Sequence, residues 1–259
     1  MGLPLGQHFL FDPSILDRIV DALGPRPEDV VVEIGAGRGT LTDRLRDRVD
    51  RVVTIERDRP LAEALKARAW PGLHVVAGDA LDLDWAALAG PPGTALKLVG
   101  NVPYAISTPL IEHALSTPGV ATIVYLLQRE VADRLAAGAG SKAYGALSVG
   151  VQAAARTERL FRVRAGAFHP PPAVDSAVVR LTPLAPPLVP PAERAEFRRF
   201  TVALFGQRRR QLHRALRTVL GLDPAEAGSV VEAAGLDAVV RVETLSPERL
   251  VHLYRCIQR

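Results

Sequence analysis

The chain carries one cysteine and only three lysines, Lys66, Lys97 and Lys142, and no long apolar run. Each scarcity excludes something. Cys256 has no partner for an internal disulfide, and without a second thiol or a His-x-x-x-His spacing there is no framework for a metal; it reads as a small core residue of a last helix. No stretch of about 18 or more apolar residues occurs. The first seven residues lack the charged and apolar regions of a secretory signal, so a cytosolic protein without membrane contact is expected. No internal repeat is evident, and no self-complementary heptad seam, so a monomer is expected. Because arginine carries nearly all the positive charge, the choice of arginine over lysine at any one position says little.

What is present is enough apolar material for a real core. At 259 residues and 48% hydrophobic content, the chain can fold as one large domain and one small one. The net charge of +4 is unevenly placed: residues 1–183 are balanced, and the whole excess lies in 184–259. There Arg194, Arg198, Arg199, Arg208, Arg209, Arg210, Arg214 and Arg217 face only Glu193 and Glu196. Such a density would neutralise phosphates well, although a solvated helix face has the same pattern.

Apolar runs at 30–34, 52–55, 73–76, 96–99 and 123–127 read as strands, with helical periodicity between them. This alternation predicts a doubly wound α/β fold with a parallel sheet. Helix starts are marked by a capping residue before proline: Asp12-Pro13, Thr108-Pro109, Asp223-Pro224 and Ser246-Pro247. Two β-rich pieces, 160–163 and 174–181, predict an antiparallel pair added at the sheet edge. The proline-rich stretch 183–191 resembles a stiff linker. Beyond it 194–220, 225–234 and 247–257 are helical in period, which predicts a small all-α domain. The expected division is 1–183 and 184–259.

Glu33-Ile34-Gly35-Ala36-Gly37-Arg38-Gly39-Thr40 closes the first of these strands and opens a helix. Glycines Gly35 and Gly37 fall where backbone must approach a ligand closely. Glu56 ends the next strand, where a carboxylate accepts both hydroxyls of a ribose. A dinucleotide fingerprint would be Gly-x-Gly-x-x-Gly, but here the third glycine, Gly39, comes one residue early. Gly78-Asp79-Ala80 ends the third strand. Asp79 by itself is an ordinary cap or turn residue; as the third of three consecutive strand ends it is a candidate acceptor for the exocyclic amine of an adenine. With no phosphate grip apparent, the set fits S-adenosylmethionine better than NAD.

Asn101-Val102-Pro103-Tyr104 follows the fourth apolar run. The amino group of adenine is planar and weakly nucleophilic. A side-chain oxygen and a main-chain carbonyl accepting its two hydrogens would aim its lone pair at an electrophile, and Tyr104 would stack on the base. Four residues do not separate this from a strand-end turn.

Together these motifs resemble the rRNA adenine N6-dimethyltransferases, and within them the branch that dimethylates two adjacent adenosines near the 3′ end of small-subunit (16S) rRNA. The resemblance spans nearly the whole chain. Gly6-Gln7-His8-Phe9-Leu10 looks like the family's cofactor-covering segment, Phe168-His169-Pro170-Pro171-Pro172-Ala173-Val174-Asp175-Ser176 like its Phe-x-Pro-x-Pro-x-Val-x-Ser motif, and Phe205-Gly206-Gln207-Arg208-Arg209-Arg210 like its basic turn. It implies a Rossmann-like class I methyltransferase sheet with a C-terminal helical domain. S-adenosylmethionine would be held by Gln7, His8, Leu10, Gly35, Gly37, Glu56, Asp79, Ala80 and Asn101. A flipped adenine would lie between Tyr104 and Phe168 with its amine on Asn101, and Arg208, Arg209, Arg210 and Arg214 would contact RNA of the small subunit or its assembling particle. Taken alone, Phe168 is more often a packed aromatic than a base platform.

Two departures stand out. His8 occupies a position where asparagine is common in the family, and the lead before Gly6 is short and not basic. The expected chemistry is direct methyl transfer to N6 without metal, covalent intermediate or strong general base, with catalysis by positioning. The runner-up is a large-subunit (23S) rRNA adenine methyltransferase of the resistance type, which shares the motifs; a non-catalytic RNA-binding assembly or transcription factor is the reading from another class. An NAD oxidoreductase is disfavoured by the glycine spacing.

Overall fold

A computed structural model of the chain describes residues 7–89 and 94–258; Gly6 of the N-terminal motif lies outside them. The described part begins with a short strand, β1 (Phe9–Leu10), and helix α1 (Pro13–Leu23). Asp12 starts α1 by accepting the amides of Ser14 and Ile15, while Pro13 takes a first-turn position that needs no donor. Then follow β2 (Val30–Ile34), α2 (Thr40–Leu45), β3 (Arg51–Glu56), α3 (Arg59–Lys66), β4 (Leu73–Ala77), α4 (Trp85–Ala89), β5 (Leu96–Asn101), α5 (Ser107–Ser116), β6 (Val120–Gln128), α6 (Arg129–Leu135) and α7 (Ala146–Gln152). The chain continues through β7 (Ala155–Val163), β8 (Phe168–His169) and β9 (Ser176–Pro183) to α8 (Arg194–Phe205), α9 (Leu212–Leu220), α10 (Pro224–Ala233) and α11 (Pro247–Ile257).

Seven strands form one sheet in the order β4-β3-β2-β5-β6-β9-β7. The five strands expected from the apolar runs are parallel to their neighbours, and β9 returns antiparallel beside β6. Strand β2 is buried along its whole length, as a central parallel strand must be. One face packs Val31, Val99 and Val124 against Leu16, Ile19 and Leu45 of α1 and α2. At Gly100 the backbone of β5 lies close against β2: a Cβ there would lie 2.4 Å from the Ile34 carbonyl oxygen. From β2 the chain winds outward to β3 and β4, then crosses to β5 and β6 on the other side, so the carboxyl ends of β2 and β5 flank a topological switch point.

The described residues fall into two compact units. One comprises Met1–Ala132 with Glu158–Pro183, and the other Asp133–Thr157 with Leu184–Arg259. Besides the crossing expected after residue 183, an earlier excursion therefore belongs with the helical unit. The core of that unit includes Tyr144 and Val149 from the excursion together with Phe197, Leu204, Leu216 and Leu250. Cys256 is half-buried against this core.

Three sequence expectations are corrected. The stretch 183–191 is not a stiff linker standing clear of the fold, because Leu184 and Leu188 donate their amides to the Ala154 and Ala153 carbonyls, and Val189 is buried. The helical period of 194–220 is broken between α8 and α9, placing Arg208, Arg209 and Arg210 in the intervening turn. Thr108 is not a cap: a 3-10 turn, Tyr104–Ile106, runs straight into α5, which starts at Ser107 with Ile106 in the cap position. Pro109 is tolerated there because the first turn leaves its amides unbonded anyway. Asp223 and Ser246 do cap α10 and α11. No described helix is long and apolar enough to cross a membrane.

Candidate active site

The carboxyl ends of β2, β3, β4 and β5 meet at one cavity of about 240 Å³. Its lining includes Gln7, His8 and Leu10, Gly35 and Gly37, Glu56, Asp79 and Ala80, and Asn101 and Tyr104. Residues separated by almost a hundred positions converge there because parallel strands end on the same edge.

The loop after β2 turns on three glycines with positive φ, Gly35 at 72°, Gly37 at 56° and Gly39 at 77°. At Gly37 a Cβ would stand 3.1 Å from the Phe9 ring, so a side chain there would push against β1. Glu56 fixes this loop from the neighbouring strand: Oε2 accepts the Gly37 amide at 2.7 Å and Oε1 accepts the Asp58 amide at 2.8 Å. Each carboxylate oxygen retains a lone pair for a further donor. Arg68 supports the far side of the loop, donating to the Arg38 carbonyl at 2.5 Å and pairing with Asp43.

Asp79 caps a turn and also lines the cavity. Its Oδ1 accepts the Leu81 amide at 3.0 Å, capping the 3-10 turn Ala80–Asp82, while Oδ2 faces Arg57 at 3.5 Å on the cavity rim. Trp85, fully buried, donates Nε1–H to the Ala80 carbonyl at 2.8 Å and holds this turn from behind. The two arginines of the lining are both engaged, Arg57 by Asp79 and Arg38 over the Phe9 ring at 4.7 Å. The glycine loop with the acceptor carboxylates of Glu56 and Asp79, both lining arginines being already engaged, fits a nucleoside bearing a cationic centre.

At the other end of the cavity, Asn101 donates Nδ2–H to the His8 carbonyl at 2.7 Å, which leaves Oδ1 as its acceptor. Tyr104 hydrogen-bonds the Ser176 hydroxyl at 2.7 Å, and its burial pushes the phenol pKa up, so the ring stays neutral. The N-terminal strand completes the wall. β1 pairs antiparallel with β8, the Leu10 carbonyl accepts from Thr40 Oγ1 at 3.0 Å, and His8 Nδ1 lies 2.8 Å from the Pro170 carbonyl.

Phe168 departs from expectation. It is 2% exposed, packs in the core with Leu10, Leu16 and Val178, and is absent from the cavity lining. A ring with no open face offers nothing for a base to stack on. Its position in β8 explains why: strand pairing with β1 sets Leu10 opposite Phe168, and both turn inward. The β1–β8 pairing was not legible in the sequence, since two-residue strands have no periodicity to detect. Glu33 was visible only as part of a motif; here it is a buried carboxyl on the cavity wall accepting from Thr42 Oγ1 at 2.6 Å. In the helical unit Arg209 and Arg214 are exposed, Arg210 donates to the Thr218 hydroxyl at 3.0 Å, and Arg208 is taken by Glu243 at 2.7 Å.

Comparison with known proteins places this arrangement. Residues 3–259 match the family described as ribosomal RNA adenine dimethylase. A protein of Xanthomonas campestris pv. campestris named ribosomal RNA small subunit methyltransferase A is 46% identical over 252 residues, covering 96% of this chain and 93% of the relative. The Acidithiobacillus ferrooxidans protein of the same name is 44% identical over 251 residues, covering 94% and 91%. Among solved structures, a dimethyladenosine transferase from Plasmodium falciparum superposes with a TM-score of 0.82 at 26% identity, covering 95% of this chain and 96% of that one. The 23S rRNA methyltransferase ErmE gives 0.74 at 27%, covering 97% and 100%. With sequence matches along almost the entire chain and the sheet of the Rossmann-like methyltransferases, this chain belongs to the ribosomal RNA adenine dimethylase family.

Proposed function

We propose that the protein is an S-adenosylmethionine-dependent enzyme that dimethylates N6 of two adjacent adenosines near the 3′ end of small-subunit rRNA during ribosome assembly. The observation that carries this reading is the orientation of Asn101. One of its two amide hydrogens goes to the His8 carbonyl, which fixes the side-chain amide and leaves Oδ1 as its acceptor on the cavity wall, and the hydrogens of an adenine amine are suitable donors to it.

When bound, S-adenosylmethionine supplies an activated methyl group. Glu56 would accept its ribose hydroxyls with the lone pairs left after the Gly37 and Asp58 amides, and Asp79 with Ala80 would meet the adenine edge. Gly35 and Gly37 leave the main chain bare toward the methionine part, and Gln7 and Leu10 close the cavity from the N-terminal side. Asn101 and a main-chain carbonyl of the 101–104 turn orient the target amine while Tyr104 stacks on the base. Holding the two reactants in line replaces the need for a strong base, because the amine protons become acidic only as the new bond forms. Arg209 and Arg214 would supply phosphate contacts from the helical unit.

The small-subunit target is supported by the names of the relatives at 46% and 44% identity, whereas the 23S enzyme stands at 27%. The test is to incubate the protein and methyl-labelled donor with unmodified small and large ribosomal subunits separately, then map the labelled base. Two dimethylated adenines in the small subunit are expected. Label confined to large subunits would reject the assignment in favour of the resistance-type activity.

A further inference from the structure

Ser176, the last residue of the proline-rich motif, is not part of the cavity lining. It is fully buried, and its hydroxyl lies 2.7 Å from that of Tyr104, 72 residues earlier in the chain. The sheet explains the meeting. Ser176 opens β9 and pairs with Gln128, which closes β6; because β9 runs antiparallel to β6, its start falls on the carboxyl edge where Asn101 closes β5. It is held there on both sides. The neighbouring Asp175 gives its main-chain carbonyl to the Arg129 amide at 2.9 Å, one carboxylate oxygen to the Ala165 amide at 3.0 Å and the other to Arg162 Nε at 2.7 Å. Beyond Ser176, Ala177 and Val178 are buried.

Tyr104 is tied at three points. Its main-chain carbonyl accepts the Ser107 hydroxyl at 3.0 Å, the Pro103 carbonyl accepts the Ile106 amide at 3.2 Å, and Oη meets Ser176. The first two fix the backbone of the turn; the third fixes the ring. A half-buried ring on the cavity wall without such a tether would give up rotamer freedom each time a base docked, whereas a ring held beforehand gives it up on folding.

We infer that Ser176 is a positioning residue for methyl transfer: through Oγ it holds the Tyr104 ring in the plane on which the target adenine stacks, without touching substrate or cofactor itself. This rests on the adenine-methylating reading above, in which Tyr104 is the stacking face. Because phosphate contacts dominate RNA affinity and other residues line the cofactor cavity, the tether acts on the rate of transfer and not on the tightness of either complex.

Ser176→Ala is expected to lower kcat on unmodified small subunits roughly threefold to tenfold, the span of one neutral hydrogen bond. Kd for RNA by anisotropy and for S-adenosylmethionine by calorimetry should stay within about twofold of the parent. Tyr104→Phe, which keeps the ring and removes only its hydroxyl, should lose the same. The double variant should lose no more than either single one, because both remove one contact. A loss in kcat below about threefold, losses that multiply in the double variant, or a fall in cofactor affinity matching the fall in kcat would each overturn the inference; the last two are what a purely structural serine would give. If Ser176→Ala does not fold, Tyr104→Phe decides, and transfer at the parental rate overturns it. A parent protein that methylates no rRNA adenine defeats the functional reading itself, whereas an active parent matched by Ser176→Ala defeats this inference alone.

Discussion

Glu56 accepts the amide of Gly37 at 2.7 Å, so one carboxylate at the end of β3 both shapes the glycine loop after β2 and faces the cavity. Hydrogen bonds to a charged group contribute about 1.5–3 kcal/mol each. Glu56→Ala is therefore expected to raise the Kd for S-adenosylmethionine by roughly tenfold to a hundredfold. Titration calorimetry reads this directly, and a change below twofold would remove Glu56 from the cofactor site.

Glu33 predicts a pH dependence. It is 1% exposed, and burial pushes its carboxyl up from 4.5 to about 7; the Thr42 hydrogen bond pulls the other way and the neighbouring Glu56 adds to the rise. A raised acid favours the folded state where both states are protonated, fully below the unfolded value, and this contribution is lost as pH rises through about 7. At 1.36 kcal/mol per unit, its size is roughly 3 kcal/mol. Urea unfolding should show Glu33→Gln gaining on the parent by roughly 2–3 kcal/mol between pH 5 and pH 8. A difference equal at the two pH values would mean that Glu33 does not titrate in this window.

Phe168 separates packing from stacking. As a core residue it should cost about 3–5 kcal/mol when cut to alanine, which at this chain length lowers Tm by roughly 6–20 °C. Phe168→Leu fills most of the volume and is expected to transfer methyl groups at nearly the parental rate below its melting point. A loss of tenfold or more in Phe168→Leu, with Tm and cofactor affinity unchanged, would restore the ring to the base slot.

The arginine-rich turn should divide by engagement. Arg209 is exposed, whereas Arg208 serves Glu243. Arg209→Ala is expected to weaken RNA binding and to reduce the slope of log K against log salt by about 0.7–0.9, the share of one phosphate contact. Arg208→Ala should leave that slope in place and lower Tm by about 2 °C, as for a partly exposed ion pair. Fluorescence anisotropy at several salt concentrations distinguishes the two, and equal slopes for Arg209→Ala and the parent would exclude the contact.

The amino-acid sequence alone determined the parallel part of the sheet and four of the residues at its strand ends. Continuous apolar runs such as 30–34 must be buried on both faces, the parallel arrangement puts their carboxyl ends on one edge, and residues directly after those runs, Gly35, Glu56, Asp79 and Asn101, have nowhere else to go. Periodicity and strand-end position are local properties, so they can be read along the chain. Whether Phe168 faces the cavity or the core is not local. It depends on β1 pairing with β8 across more than 150 residues, a register in which Leu10 and Phe168 turn into the core and His8 is left beside the cavity. Two-residue strands leave no pattern, and side-chain burial there is decided by which face the pairing turns inward. Only the tertiary structure could settle that Phe168 packs in the core and His8 lines the cavity.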